Sequence, residues 1–302
     1  MTMLSMAALA ITIQAAQLPV SVPRDAATAI LDAFAHYDVV GMNAAHSDKT
    51  QDEFILALIR QPRFATTVDD IVVECGNRRF QPTLDRFIAG EDVPLESVRP
   101  VWRETTVLMC GLSGFCESLF ATVRDVNRSL QSNRKPRVLA GEPPVDWSAG
   151  GNPHGADRDA SISDVMVGEV LSKHRKALML FGVGHLIHGF NSAVARYESR
   201  YAGKTFVIDT HHGFAAFFDL ERGHQLEARM RDWPVPSLIR LTGSWLADLD
   251  LPYFLWPFPK RIGCVSVRRL SGFLWIRPRT ASTFKPRTCR RWRSTATSTA
   301  SS

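Results

Sequence analysis

Imidazole and carboxylate side chains follow each of five apolar runs in this 302-residue chain. Asn43-Ala44-Ala45-His46 comes after the run Asp38–Met42, and Glu74-Cys75-Gly76-Asn77 closes Asp70–Cys75. Gly141-Glu142-Pro143-Pro144 closes Arg137–Gly141, with Asp146 close behind. Gly182-Val183-Gly184-His185 closes Ala177–Val183, with His188 three residues on, and Asp209-Thr210-His211-His212 closes Thr205–Asp209. An imidazole takes or gives a proton near neutrality, or binds a metal as the neutral base. A carboxylate at a buried strand end orients such a ring, or has its own pKa raised by desolvation. His46, Glu74 and His185 together would activate a water for hydrolysis, or offer two nitrogens and one oxygen to a divalent metal. Glu142, Asp146, His188, Asp209 and His211 are the secondary candidates. A GxSxG elbow and a P-loop are both absent.

Each of these residues also has a structural reading. A histidine after a strand is commonly a loop or capping residue. Glu74 would cap the next helix or pair with Arg78 or Arg79, Glu142 before two prolines would fix a turn, and isolated histidine pairs usually lie on the surface. The chemical reading therefore rests on convergence at one sheet edge, which the intervening elements must produce.

Helical spacing marks Arg24–Tyr37, Thr50–Arg60, Gln81–Ala89, Leu95–Thr105, Leu112–Leu130, Ile162–His174, Ala193–Tyr201 and Gln225–Asp232. The five runs between them are apolar on both faces. That alternation predicts an α/β fold: a mainly parallel sheet with helices on both faces, and a cleft at the carboxyl ends of its strands. No internal repeat is present.

Composition narrows the function classes. Hydrophobic residues make up 45% and charged residues 22%, which excludes a disordered chain or a polytopic membrane protein. The net charge of +6 suggests nucleic acid, but ten of the 36 Lys/Arg fall in 261–302, where Asp and Glu are absent. Residues 1–260 thus hold 26 basic against 30 acidic side chains, a net charge of −4, and no nucleic-acid partner is expected for the body. The expected partner is a small-molecule substrate or haem. Cys75, Cys110 and Cys116 in the body form no CxxC pair and are expected to be free structural thiols.

Both ends differ from the middle, giving an apolar segment at 1–18, an α/β domain at 19–260 and a basic tail at 261–302. Met3–Ile13 is too short to span a bilayer, and its length suits the apolar part of an export signal, although no Lys or Arg precedes it. A periplasmic or extracellular location is therefore expected; the other reading is a cytoplasmic protein with a first helix packed on the domain. The tail, rich in Ser, Thr, Arg and Trp, reads as a frameshifted end or as a solvated segment that binds anionic partners.

Four segments carry a family resemblance: Asp69–Asn77 (DDIVVECGN), Asp85–Pro94 (DRFIAGEDVP), Val101–Thr106 (VWRETT) and Arg137–Trp147 (RVLAGEPPVDW). They resemble a bacterial group similar to the superfamily of erythromycin esterases, ChaN-like haem-binding lipoproteins and Tiki/TraB proteins, over roughly residues 25–260. The resemblance implies an α/β fold with a Gly-Glu-x-His motif after the first strand, a Glu after the second and a later Gly-x-x-His. Some members hydrolyse esters, some are metal-dependent peptidases and some bind haem. On that pattern His46 matches the first histidine, Glu74 the strand-two acid, and Gly182 with His185 the last motif. Asn43 and Ala44 replace the Gly and Glu of the first motif, so a carboxylate is lost and impaired activity is expected. Asp52 and Glu53 lie on the following helix, and no pattern places them at the cleft. The leading expectation is a hydrolase-like centre using His46, Glu74 and His185 on water or a metal. The alternative is a haem- or metal-binding protein using the same histidines.

Overall fold

The computed structural model describes residues 20–44, 48–131, 134–149, 157–211, 220–248 and 272–275. His46, His212, the apolar stretch at 3–13 and all of the tail except 272–275 lie outside the described residues. The strands are β1 (Arg24–Asp25), β2 (Val39–Asn43), β3 (Asp70–Asn77), β4 (Arg137–Glu142), β5 (Ala177–Phe181), β6 (Thr205–His211), β7 (Ser237–Arg240) and β8 (Gly272–Trp275). They form one sheet in the order β1-β7-β8-β6-β2-β5-β3-β4. Neighbours from β8 to β4 are parallel, and β7 runs antiparallel to β1 and β8. The fold is α/β. The strands expected from their apolar runs are the five contiguous ones, β6-β2-β5-β3-β4, which end at the β4 edge of the sheet. β1, β7 and β8 are short and carry no comparable signal. β8 comes from the basic tail.

Period-2 alternation explains how the sheet is covered on both sides. Val40, Met42, Ile71, Val73, Leu178, Leu180, Phe206 and Ile208 face one core, with the helices Ala26–Ala33, Lys49–Ile59, Gln81–Ala89 and Phe115–Arg128. Val39, Val72, Met179, Phe181 and Val207 face the other, with Arg158–Val165 and Ala193–Glu198.

Two helices depart from expectation for local reasons. Leu95–Thr105 divides into single turns, Leu95–Val98 and Pro100–Arg103, where Pro100 has no N–H to continue the ladder. The helix expected from Ile162 begins earlier, at Arg158. Asp157 caps it, accepting the Ala160 N–H at 3.1 Å. After Val165 it passes into a π-turn at Met166–Val170 and a 3₁₀ turn at Leu171–Lys173.

The end of β3 is bent against β4. Their ladder shifts register between Val73 and Asn77, and a Cβ on Gly76 would lie 2.7 Å from Ala140 Cα. Backbone cannot give way as a flexible side chain can. Gly76→Ala is therefore expected to destabilise the protein by about 1–3 kcal/mol, measured by urea unfolding. An unchanged midpoint would show that this approach is not constrained.

Candidate active site

β3, β5 and the helix at Arg158 converge at the carboxyl end of the sheet. Glu74 follows Val72 by two residues, so alternation turns it toward the same face as the Arg158–Val165 helix. Glu74 Oε2 accepts the Gly182 N–H at 2.7 Å, which joins the ends of β3 and β5. Its Oε1 accepts from Arg158 Nη2 at 2.7 Å. Arg158 Nε also donates to Glu142 Oε1 at 2.6 Å, and the Thr106 hydroxyl donates to Glu142 Oε2 at 2.5 Å. One guanidinium thus holds two carboxylates that are 6% and 0% exposed. Charges so buried persist only when paired and hydrogen-bonded. Burial alone would raise the Glu74 carboxyl, but His185, Arg158 and the Gly182 N–H outweigh it and hold the group below its ordinary value.

His185 stands on the short helix Val183–Leu186 that begins as β5 ends. Its Nδ1 lies 2.8 Å from Asp159 Oδ1, and its Nε2 lies 3.8 Å from Glu74 Oε1. Asp159 Oδ1 also accepts the Ala193 N–H at 2.7 Å, which fixes the carboxylate on which the ring rests. Burial raises Asp159, and the His185 contact more than reverses that, keeping the acid ionised below its ordinary pKa. The ring is therefore oriented at one nitrogen and faces the Glu74 carboxylate with the other.

The remaining candidates divide clearly. Glu142 belongs to the cluster through Arg158. Asp146 does not: it is half-buried and pairs with Arg79 and Ser148. His188 Nδ1 meets Glu198 Oε2 at 2.6 Å, in a separate pair that also holds the Thr205 N–H. Asp209 Oδ1 accepts from Asn43 Nδ2 at 2.7 Å, while Asn43 Oδ1 accepts the Val183 N–H at 3.1 Å. Asn43 thus ties the ends of β2, β5 and β6 together. His211 is buried, with Nε2 3.7 Å from Glu227 Oε1. Glu74, His185 and Glu142 are brought together, and His46 lies outside the described residues. Arg158 and Asp159, which join the three, were missed. The available signal was Asp157-Arg158-Asp159, a capping residue followed by charges at the start of a helix after a strand end.

Asp52 stands on the helix Lys49–Ile59, which packs on the opposite face of the sheet from the Arg158–Val165 helix. Burial and the neighbouring Asp48 push its carboxyl up to about 7. Burial, with the Asp52 and Glu74 charges adding to it, pushes the Cys116 thiol up to about 12. Glu53 is turned outward, 3.8 Å from Lys49. The folded state holds a proton on Asp52 that the unfolded chain releases above its ordinary value of 3.8. Stability is therefore lost as pH rises from about 4 to about 7. Asp52→Asn is expected to unfold at higher urea than wild type at pH 8, with a smaller gap at pH 5. A gap independent of pH would contradict the assignment.

The cysteines correct the sequence reading. Cys75 and Cys110 form a disulfide across a separation of 35 residues, and Cys116 is free and buried. Spacing gave no sign of this pair, because the fold itself carries the short helix Leu108–Leu112 onto the end of β3. A closed loop of that length stabilises a fold by about 3–4 kcal/mol through the unfolded chain. The residue next to Glu74 is thereby anchored.

No family model matches the chain, and no curated protein matches it. Two solved structures are similar to it. The haem-bound ChaN of Campylobacter jejuni is 14% identical, with 62% of this chain and 86% of that chain covered and a TM-score of 0.41. The type III effector HopBA1 is 11% identical, with 65% and 88% covered and a TM-score of 0.38. At these values the likeness concerns the course of the backbone alone.

Proposed function

We propose that the chain is a hydrolase-like protein in which His185, oriented by Asp159, takes a proton from water beside Glu74 and Arg158. The observation that carries this reading is the His185 ring itself, with Nδ1 at 2.8 Å from Asp159 and Nε2 at 3.8 Å from Glu74. With Nδ1–H donated to Asp159, the Nε2 lone pair is the base. The water oxygen attacks the carbonyl carbon, and the oxyanion develops against the Arg158 guanidinium. The proton on Nε2 then passes to the leaving oxygen. Glu74 and Glu142 keep Arg158 in place. His46, beyond the end of β2, is the third member by its match to the first motif. Ala44, where that motif has a Glu, gives slower turnover than a centre with the extra acid. The resemblance to the erythromycin esterase superfamily, some of whose members hydrolyse esters, agrees with this reading.

The metal alternative fits less well. Among the described residues no three His, Cys, Asp or Glu side chains are arranged to hold a metal ion. A cation at Glu74 would also face Arg158 at hydrogen-bonding distance. For haem, the apolar cavity lined by residues such as Val107, Leu112 and Trp147 has, among the described residues that line it, no His, Tyr, Met or Cys for the iron. No step is routed through either group. The Cys75–Cys110 disulfide favours an oxidising compartment and hence export, and among the described residues no helix is long and apolar enough to cross a membrane.

Asp159→Asn tests the orientation. Turnover of p-nitrophenyl acetate is expected to fall about 10–100-fold with the fold retained by circular dichroism. Unchanged turnover would remove Asp159 from the machinery.

A further inference from the structure

Three large apolar side chains stand in water at one place beside the candidate active site. Leu108 is 79% exposed, Leu112 71% and Trp147 46%. Single exposed apolar residues are ordinary, but a cluster at the mouth of a cavity marks a binding surface. Leu108, Leu112 and Trp147 line a cavity of about 520 Å³ with Val107, Thr106 and Arg103, a volume within the range of small-molecule sites.

Three features give this cavity a chemistry. Its wall is fixed, because Cys110, between Leu108 and Leu112, is bonded to Cys75 at the end of β3. Its Thr106 hydroxyl donates to Glu142 Oε2, so the cavity adjoins the cluster of Glu142, Arg158 and Glu74. Arg103 is exposed at its edge and has no ion pair among the described residues, whereas the nearby Arg79 and Arg99 are paired. A guanidinium matches a carboxylate through two parallel hydrogen bonds. The buried acids next door disfavour a more highly charged anion.

We propose that this cavity binds a medium-chain carboxylate, its aliphatic chain against Leu108, Leu112 and Trp147 and its carboxylate on Arg103. Resting on the hydrolytic reading, this names the substrate class as an ester that carries an apolar chain and a free carboxylate. Binding itself does not depend on that chemistry.

Calorimetric titration of the full chain with decanoate, decanol and decyltrimethylammonium, all below micelle formation, tests the proposal. Decanoate is expected to bind saturably at one site, with the alcohol and the cation about tenfold weaker. Arg103→Gln should erase the preference for decanoate over decanol, and Leu112→Asp should weaken all three by at least about tenfold. Both positions are exposed, and circular dichroism checks that the variants fold. Decanoate binding is expected to be unchanged in His185→Ala. If that variant keeps both its decanoate binding and its ester turnover, the hydrolytic reading fails and the cavity assignment stands. Absence of saturable decanoate binding, a preference that survives Arg103→Gln, or self-association of the chain that excludes decanoate would overturn the proposal.

Discussion

Arg158→Met is expected to destabilise the protein by about 3–5 kcal/mol, because it leaves two buried carboxylates without their cation. Glu74 and Glu142 lie 2.7 and 2.6 Å from the same guanidinium, and neither reaches solvent freely. The remedy for an unpaired buried charge is to remove the charge. The triple variant Arg158→Met, Glu74→Gln, Glu142→Gln should therefore recover most of the loss. Urea unfolding at pH 7 measures both. A loss below about 1 kcal/mol in the single variant would place the pair in the class of solvated surface ion pairs and would remove Arg158 as the organiser of the site.

The second large effect falls on catalysis. His185→Ala is expected to lower kcat/KM for p-nitrophenyl esters by about 10²–10⁴, the usual contribution of a positioned acid or base. Its stability should change far less than that of Arg158→Met. Asp159 retains the Ala193 N–H, and Glu74 retains both Arg158 and the Gly182 N–H. An equal loss of stability in the two variants would mean that the ring holds the fold together and does no more.

Much of the fold was readable because its signals are local. Val39–Asn43, Asp70–Asn77, Arg137–Glu142, Ala177–Phe181 and Thr205–His211 are all apolar on both faces, and the expected strands match them within two residues. β1, β7 and β8 carry no readable signal, because strands of 2, 4 and 4 residues are too short to show a pattern and their pairing is decided by neighbours distant in sequence. Half of the site was legible in the same way. Glu74, Glu142 and His185 follow directly from strand ends. Arg158 and Asp159 do not, because hydrophobic spacing begins only at Ile162, whereas the Asp157 cap starts the helix at Arg158. The Cys75–Cys110 bond was invisible because it joins a strand end to a short helix that only the folded chain brings near.

The central proposal is that an imidazole held by Asp159 activates water at the ends of β3 and β5. It is tested most directly by following p-nitrophenyl octanoate hydrolysis in excess EDTA with wild type and His185→Ala side by side. The account predicts wild-type turnover above the buffer rate, insensitive to the chelator and at least about 10²-fold faster than the variant. Turnover that EDTA abolishes, that persists in His185→Ala, or that is absent from wild type would contradict it.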